Sequence, residues 1–331
     1  MNTPEFWAAR GPIAWLLYPF SLFYPLMIRL RFLFTPPVRM DVPVICVGGL
    51  TAGGAGKTPT ALHIGTLCKS RGINAWFVSR GYKGTLLGPL QVSPSGHTSQ
   101  EVGDEPLLLA NVLPTIIAKN RLDGIRFALR HGAELIITDD GFQNPSLHKD
   151  LSLLVIDGKT GLGNGLPIPA GPLREWPEQA YDRADAIIHI NPQSLALALP
   201  QRLPVLTART VPDKNAELLK GKSVLAFCGL AIPEKFLDTL RQLGANVIET
   251  RIFADHYPYH EREIEQLAEH AQRSGAILAT TSKDAARLPD RLKALVTVVP
   301  ISLQFDAPEM LDALLNPVMT KHNEKEPAIP D

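Results

Sequence analysis

"VGGLTAGGAGKTPTALHIG", residues 47–65, is the stretch on which the reading of this chain turns. It joins an apolar run, VPVICVGG, to a segment of helical character that closes at Gly72. Glycines let successive backbone N–H groups converge on an anion, and the start of a helix adds partial positive charge. Lys57 is placed to neutralise the outer phosphates of a nucleotide, and the Thr58 hydroxyl to reach a magnesium ion. Pro59 fits the first helical turn, where a missing N–H costs nothing. The strict pattern G-x-x-x-x-G-K-[ST] fails at one position, because Thr51 stands where the first glycine belongs. Thr51, Ala52, Gly53, Gly54, Ala55, Gly56, Lys57 and Thr58 are read together as a phosphate cradle. The competing reading is a flexible turn carrying a surface lysine.

Working outward, short apolar runs alternate with amphipathic segments along the whole chain, the pattern of parallel sheets covered on both faces. The expected fold is α/β: a P-loop NTPase-like parallel sheet, an α/β/α sandwich, over residues 36–215. A second, smaller α/β domain is expected over 216–320, followed by a polar tail over 321–331. The strand-like ELIITDDG ends in Asp139 and Asp140, where P-loop enzymes hold magnesium through an acid. Two such acids can equally cap the next turn. Asp157, ending LLVIDG, is a rival for the metal role.

Lys plus Arg and Asp plus Glu are balanced at 33 each, so no overall charge points to nucleic acid. The three cysteines, Cys46, Cys68 and Cys228, lack the spacing of a zinc site or a disulfide framework and read as buried thiols. The N-terminus stands apart. Residues 11–28 carry no charge, and as a helix they span roughly 27 Å at about 1.5 Å per residue, close to a bilayer's hydrocarbon thickness. Arg29, Arg31 and Arg39 follow at once, which places the rest of the chain on the cytoplasmic side and puts these cations near anionic headgroups. Residues 1–35 are therefore expected to form a membrane-associated helix. Pro12, Pro19 and Pro25 leave open whether it spans the bilayer or lies tilted in its interface. Trimming it is expected to harm membrane recovery more than solubilised activity. A cleaved signal peptide fits less well, for want of a small-residue cleavage site.

Several protein classes share such a cradle. The N-K-x-D motif of a GTPase is absent, and TTSKDA (280–285) lacks its spacing. Leu50 and Thr51 stand where partner-switching ATPases of the ParA kind carry a second lysine. The ordered motifs GGLTAGGAGKTP, SRGYKG, VGDEPLLLA, TDDGFQN, PAGPLRE, FADHYPY and TSKDA, together with the apolar leader, resemble the tetraacyldisaccharide 4'-kinase family from about residue 10 to about residue 290.

The resemblance implies two α/β/α domains joined by a short β connection, with the active site in the cleft between them. It implies ATP and Mg2+ as cofactors and transfer of the γ-phosphate to the 4'-hydroxyl of a tetraacylated disaccharide 1-phosphate. The setting it implies is the cytoplasmic face of a bacterial inner membrane. Asp104, in VGDEP, is implied as the catalytic base, although read alone it is an N-cap. His256, in FADHYPY, is implied as its partner from the second domain. Asp139, Asp140 and Glu175 form the implied acidic set around magnesium. Arg80 and Tyr82 are implied at the acceptor, Arg80 either on its 1-phosphate or in a structural ion pair. A membrane-anchored ATPase acting on a protein partner is the alternative from a different class.

Overall fold

The computed structural model describes residues 4–192 and 197–320; the expected tail, 321–331, lies outside the described residues. The strands in chain order are β1 (Val44–Gly49), β2 (Ala75–Ser79), β3 (Leu90–Gln91), β4 (Thr115–Ile117), β5 (Leu135–Asp139), β6 (Leu151–Asp157) and β7 (Ala186–Ile190). They continue with β8 (Val205–Pro212), β9 (Ser223–Cys228), β10 (Asn246–Ile252), β11 (Ile277–Thr281), β12 (Thr297–Val299) and β13 (Ile301–Phe305). A nine-stranded sheet runs β13-β8-β7-β6-β1-β5-β2-β4-β3, and a four-stranded sheet runs β10-β9-β11-β12. The smaller sheet is parallel throughout, and in the larger only the edge strands β3 and β13 run antiparallel to their neighbours.

β1 lies in the middle because its residues suit burial on both sides: all of VICVGG is buried. Ile45 and Val47 join the cluster of Phe77, Ile137, Leu153 and Val155 on one face. Val44 and Cys46 point the other way, into clusters with Ile136 and with Leu154. Against the first face packs the helix Lys57–Ser70, which buries Ala61, Ile64 and Cys68 at helical spacing. Each such aliphatic side chain contributes about 1.5–3 kcal/mol when fully buried. The strand order reverses at β1, with β5 on one side and β6 on the other, so a crevice opens at its carboxyl end. That crevice is where the glycine loop begins.

The smaller sheet is also covered on both faces, with Val224, Ala226 and Cys228 in one cluster and Leu225 and Phe227 in another. All three cysteines are buried and free, and burial pushes the Cys68 and Cys228 thiols up to about 12. The two sheets are joined by β8, leading out, and β13, returning, which pair antiparallel from Ile301 opposite Pro212 to Phe305 opposite Ala208. The sequence presents VTVVPISL as one strand of the second domain; Pro300 divides it. The first part stays in the smaller sheet as β12, and the second crosses to the larger sheet as β13. The helix Pro308–Thr320 then lays Leu311, Leu315 and Val318 on the larger sheet's core. Residues 301–320 therefore pack with the first unit, where the expected boundary had left them with the second.

The leader forms two helices, Pro12–Ser21 and Phe23–Phe34, with Pro19 inside the first and Pro25 in the first turn of the second. Pro12–Phe34 is long and apolar enough to cross a bilayer, and 22% of its apolar window is buried. Just before it, the chain is tied to the body. Trp7 Nε1 donates to the Pro169 carbonyl at 3.0 Å, and Arg10 Nε to the Asn164 carbonyl at 2.9 Å. Arg39, expected near headgroups, pairs with Asp150 at 3.0 Å.

Candidate active site

A cleft of 2180 Å³ opens between the carboxyl ends of the two sheets, lined by the glycine loop, by Asp139 and Asp140, and by His256 of the smaller unit. In the loop, Gly56 takes φ 86° just before the helix, and a Cβ there would lie 2.5 Å from Ile190 Cδ1. Only glycine fits. Among the described residues, the N–H groups of Gly53, Gly54, Gly56, Lys57 and Thr58 have no backbone acceptor, whereas Ala52 N–H donates to Pro172 and Ala55 N–H to Gly53. A row of free donors at a helix start is an anion nest. Thr51 is placed differently from its neighbours. It bridges to Leu173 in an antiparallel sense and does not line the cleft. The departure from the glycine pattern thus sits where the loop is held as a strand.

The acids behind the loop have unequal surroundings. Asp139 is buried, its Oδ2 accepts from Thr58 Oγ1 at 3.0 Å, and its buried Oδ1 has no partner among the described residues. Burial and the neighbouring Asp140 push its carboxyl up to about 7. Asp140 sits at φ 56° and is gripped by Arg174 through both oxygens, at 2.6 and 3.0 Å, with Lys57 Nζ 3.4 Å away. Burial alone would raise its carboxyl, but Lys57 and Arg174 outweigh burial and hold it well below the usual range. A hydroxyl beside a buried, unsatisfied carboxylate oxygen is a hard-oxygen donor set that fits a magnesium ion. Thr58 and Asp139 fit that group; Asp140 is already matched by two cations.

Glu175 does not join them. It is fully buried, receives Gln143 Nε2 at 3.0 Å and Arg183 Nη2, and does not line the cleft. The reason is parity. The backbone at 172–174 pairs with the loop at 50–52, through Ala52 N–H to Pro172 and Arg174 N–H to Leu50, so successive side chains alternate in direction. Arg174 faces the cleft and Glu175 the interior. Its carboxylate instead braces Gln143, which also donates to the Gly49 carbonyl at 3.0 Å.

On the other wall, Asp104 is the first residue of the helix Asp104–Ala110, and the cap position belongs to Gly103. Gly103 takes φ 90° with the Tyr82 carbonyl 2.6 Å from where a Cβ would stand. Asp104 therefore caps nothing. Its Oδ2 accepts from His256 Nδ1 at 2.7 Å and from Arg287 Nε at 2.8 Å, and its Oδ1 makes no hydrogen bond among the described residues. Burial raises this carboxyl, but the His256 hydrogen bond and the Arg287 charge outweigh burial and hold it below the usual carboxylate range. His256 takes φ 61°, stands edge-on to Tyr82 at 6.1 Å, and has Lys283 Nζ 3.3 Å from its Nε2. Donor atoms of Asp104, Glu105 and His256 lie within 4.8 Å of one another. Lys283 and Arg287 already meet their charge.

The profile of the tetraacyldisaccharide-1-P 4'-kinase family matches residues 13–319. The chain belongs to the tetraacyldisaccharide 4'-kinase family. It is 48% identical over 322 residues to the tetraacyldisaccharide 4'-kinase of Rhodospirillum rubrum, covering 96% of this chain and 97% of that one. It is 45% identical over 328 residues to the Rhodospirillum centenum enzyme, covering 97% of each. Among solved structures it is similar to LpxK from Aquifex aeolicus, crystallised with ATP, at a TM-score of 0.75 and 30% identity, over 92% of this chain and 99% of that one.

Of the family's implied residues, the structure brings the loop, Asp139, Asp140, Arg80, Tyr82 and His256 to one cleft, with Asp104 against His256. Arg80 has no ion pair among the described residues. Arg121, Arg174, Lys283 and Arg287 carry no local signal of their place in the site, although Arg174 and Lys283 stand beside acids in PAGPLRE and TSKDA. Arg121 donates from Nη2 to the Asp140 carbonyl at 2.7 Å, and its buried Nε has no partner among the described residues.

Proposed function

We propose that the protein transfers the γ-phosphate of ATP to the 4'-hydroxyl of tetraacyldisaccharide 1-phosphate, forming lipid IVA in lipid A biosynthesis. The observation that carries this reading is the pairing of Asp104 with His256 across the two units, opposite an anion nest backed by Thr58 and Asp139. The acceptor hydroxyl is a poor nucleophile and must shed its proton during transfer. Asp104, kept ionised by His256 and Arg287, offers its remaining oxygen, Oδ1, to that proton. His256 fixes the carboxylate's orientation. Lys57 and the loop N–H groups neutralise charge that spreads over the transferred phosphoryl group. Thr58 and Asp139 would hold magnesium, which would supply positive charge to offset that of the phosphates.

Arg80 and Tyr82 are assigned to the acceptor, Arg80 to its 1-phosphate. The leader supports a location on the inner membrane for two reasons, and the arginines that follow its uncharged run favour the cytoplasmic face for both sheets. Leu16, Phe20, Phe23 and Phe34 are exposed on it, while Tyr24, Ile28 and Arg31 line the cleft. An acyl-chained acceptor can thus pass from bilayer to cleft along one helix. The test is incubation of purified protein in mixed micelles with radiolabelled ATP and the disaccharide 1-phosphate. Label in the lipid fraction is the expected result. Its absence, with ATP turned over only in response to a protein, would transfer the reading to an anchored ATPase.

A further inference from the structure

The smaller unit touches the cradle itself. Lys235, in the first turn of the helix Glu234–Gln242, donates to the Gly54 carbonyl at 2.6 Å and lies 2.9 Å from Asp157 Oδ2. Asp157 ends β6 and is buried, and its Oδ1 accepts from Lys159 N–H at 3.0 Å. The side chain of Lys159 pairs with Asp238, one turn along the same helix. Asp157, a rival for the metal in the sequence, is thus taken up by a lysine from the other unit.

Sheet order gives this contact its meaning. The loop rises from β1 between β5 and β6, so Asp139 and Asp140 flank it on one side and Asp157 on the other. Lys57 answers the acids on the β5 side, with Thr58 beside them, which is where the terminal phosphate and metal belong. The nucleoside end of the polyphosphate then lies toward β6, where Ile190, Ile232 and Phe236 line the cleft. A buried carboxylate there would repel a phosphate unless a cation screened it. Lys235 supplies that cation. Of its three ammonium protons, the Gly54 carbonyl takes one, and the Asp157 carboxylate lies within ion-pair distance.

We propose that Lys235 binds the α-phosphate of the nucleotide with its remaining donor, so that the smaller unit contributes a cation to the phosphate site. This rests on the phosphotransfer reading above. The experiment is calorimetric titration of the full chain in detergent with ATP, ADP and adenosine, for wild type, Lys235→Ala and Lys235→Gln. The glutamine amide can still donate to the Gly54 carbonyl but carries no charge, and it serves if the alanine variant does not fold. Both variants are expected to bind ATP and ADP about tenfold more weakly, with adenosine unmoved, as for loss of one charge-assisted hydrogen bond. In turnover the loss falls on KM for ATP rather than on kcat; a merely structural tie would lower the melting temperature and leave the preference for ADP over adenosine as in wild type. ADP binding within twofold of wild type in Lys235→Gln overturns the proposal, as does a loss confined to ATP. If wild type takes up neither nucleotide, the phosphotransfer reading itself fails.

Discussion

Asp104 shows how much one side chain's role depends on its neighbours. In sequence it looks like the start of a helix, and it is one, yet its carboxylate turns away to His256 and Arg287. Asp104→Ala is expected to lower kcat by about 100-fold or more while leaving nucleotide affinity unchanged, checked by steady-state kinetics beside calorimetry. The same contacts have a pH signature. Because the folded carboxyl lies below its unfolded value, its stabilisation is complete above that value and is lost as pH falls through the folded one. The stability gap between wild type and Asp104→Asn, from urea midpoints, should therefore hold from pH 7 to pH 5 and shrink below about pH 4. Glu175 carries the opposite lesson. One residue along from Arg174, it faces the interior, and no spacing rule in a proline-rich stretch announces which of the two turns inward.

At the scale of elements, the leader is more than an anchor. Its approach is sewn to the body by Trp7 and Arg10, and Tyr24, Ile28 and Arg31 form part of the cleft wall. The expectation that trimming mainly harms membrane recovery therefore changes. A chain beginning at residue 36 should lose about tenfold or more of its activity even in mixed micelles, since a wall that positions the acceptor is gone. Activity equal to the full chain in detergent would reduce the leader to a tether. The apolar length of this element was legible from the absence of charge. Its docking was not, because an indole N–H meeting a carbonyl 162 residues away leaves no local trace.

At the scale of the molecule, two sheets meet through a small set of polar ties. Arg287 is central: nearly enclosed, it pairs with Asp104 of the larger unit at 2.8 Å and with Asp284 of its own at 3.0 Å. Arg287→Ala leaves two buried carboxylates without their shared cation and is expected to cost about 3–5 kcal/mol. Because one of those carboxylates belongs to each unit, calorimetric melting should separate toward two steps, whereas Arg287→Lys should keep one. A single unshifted transition in the alanine variant would show that the units are held by β8 and β13 instead.

The sequence by itself determined the α/β class, the glycine cradle and the acids at the end of β5, because each is a local matter. Strand and helix periodicities are written in runs of a few residues, and a loop that wraps an anion needs its glycines in order. It did not determine that β13 returns to the larger sheet, that Arg174 rather than Glu175 faces the cleft, or that Lys235 reaches Gly54. Residue resemblance pointed to Asp104 and His256, but their meeting across 152 residues is a product of packing. Those outcomes depend on how layers settle against one another and which rotamers remain open, and the cost or gain of a charge there is set by partners that only the closed fold supplies.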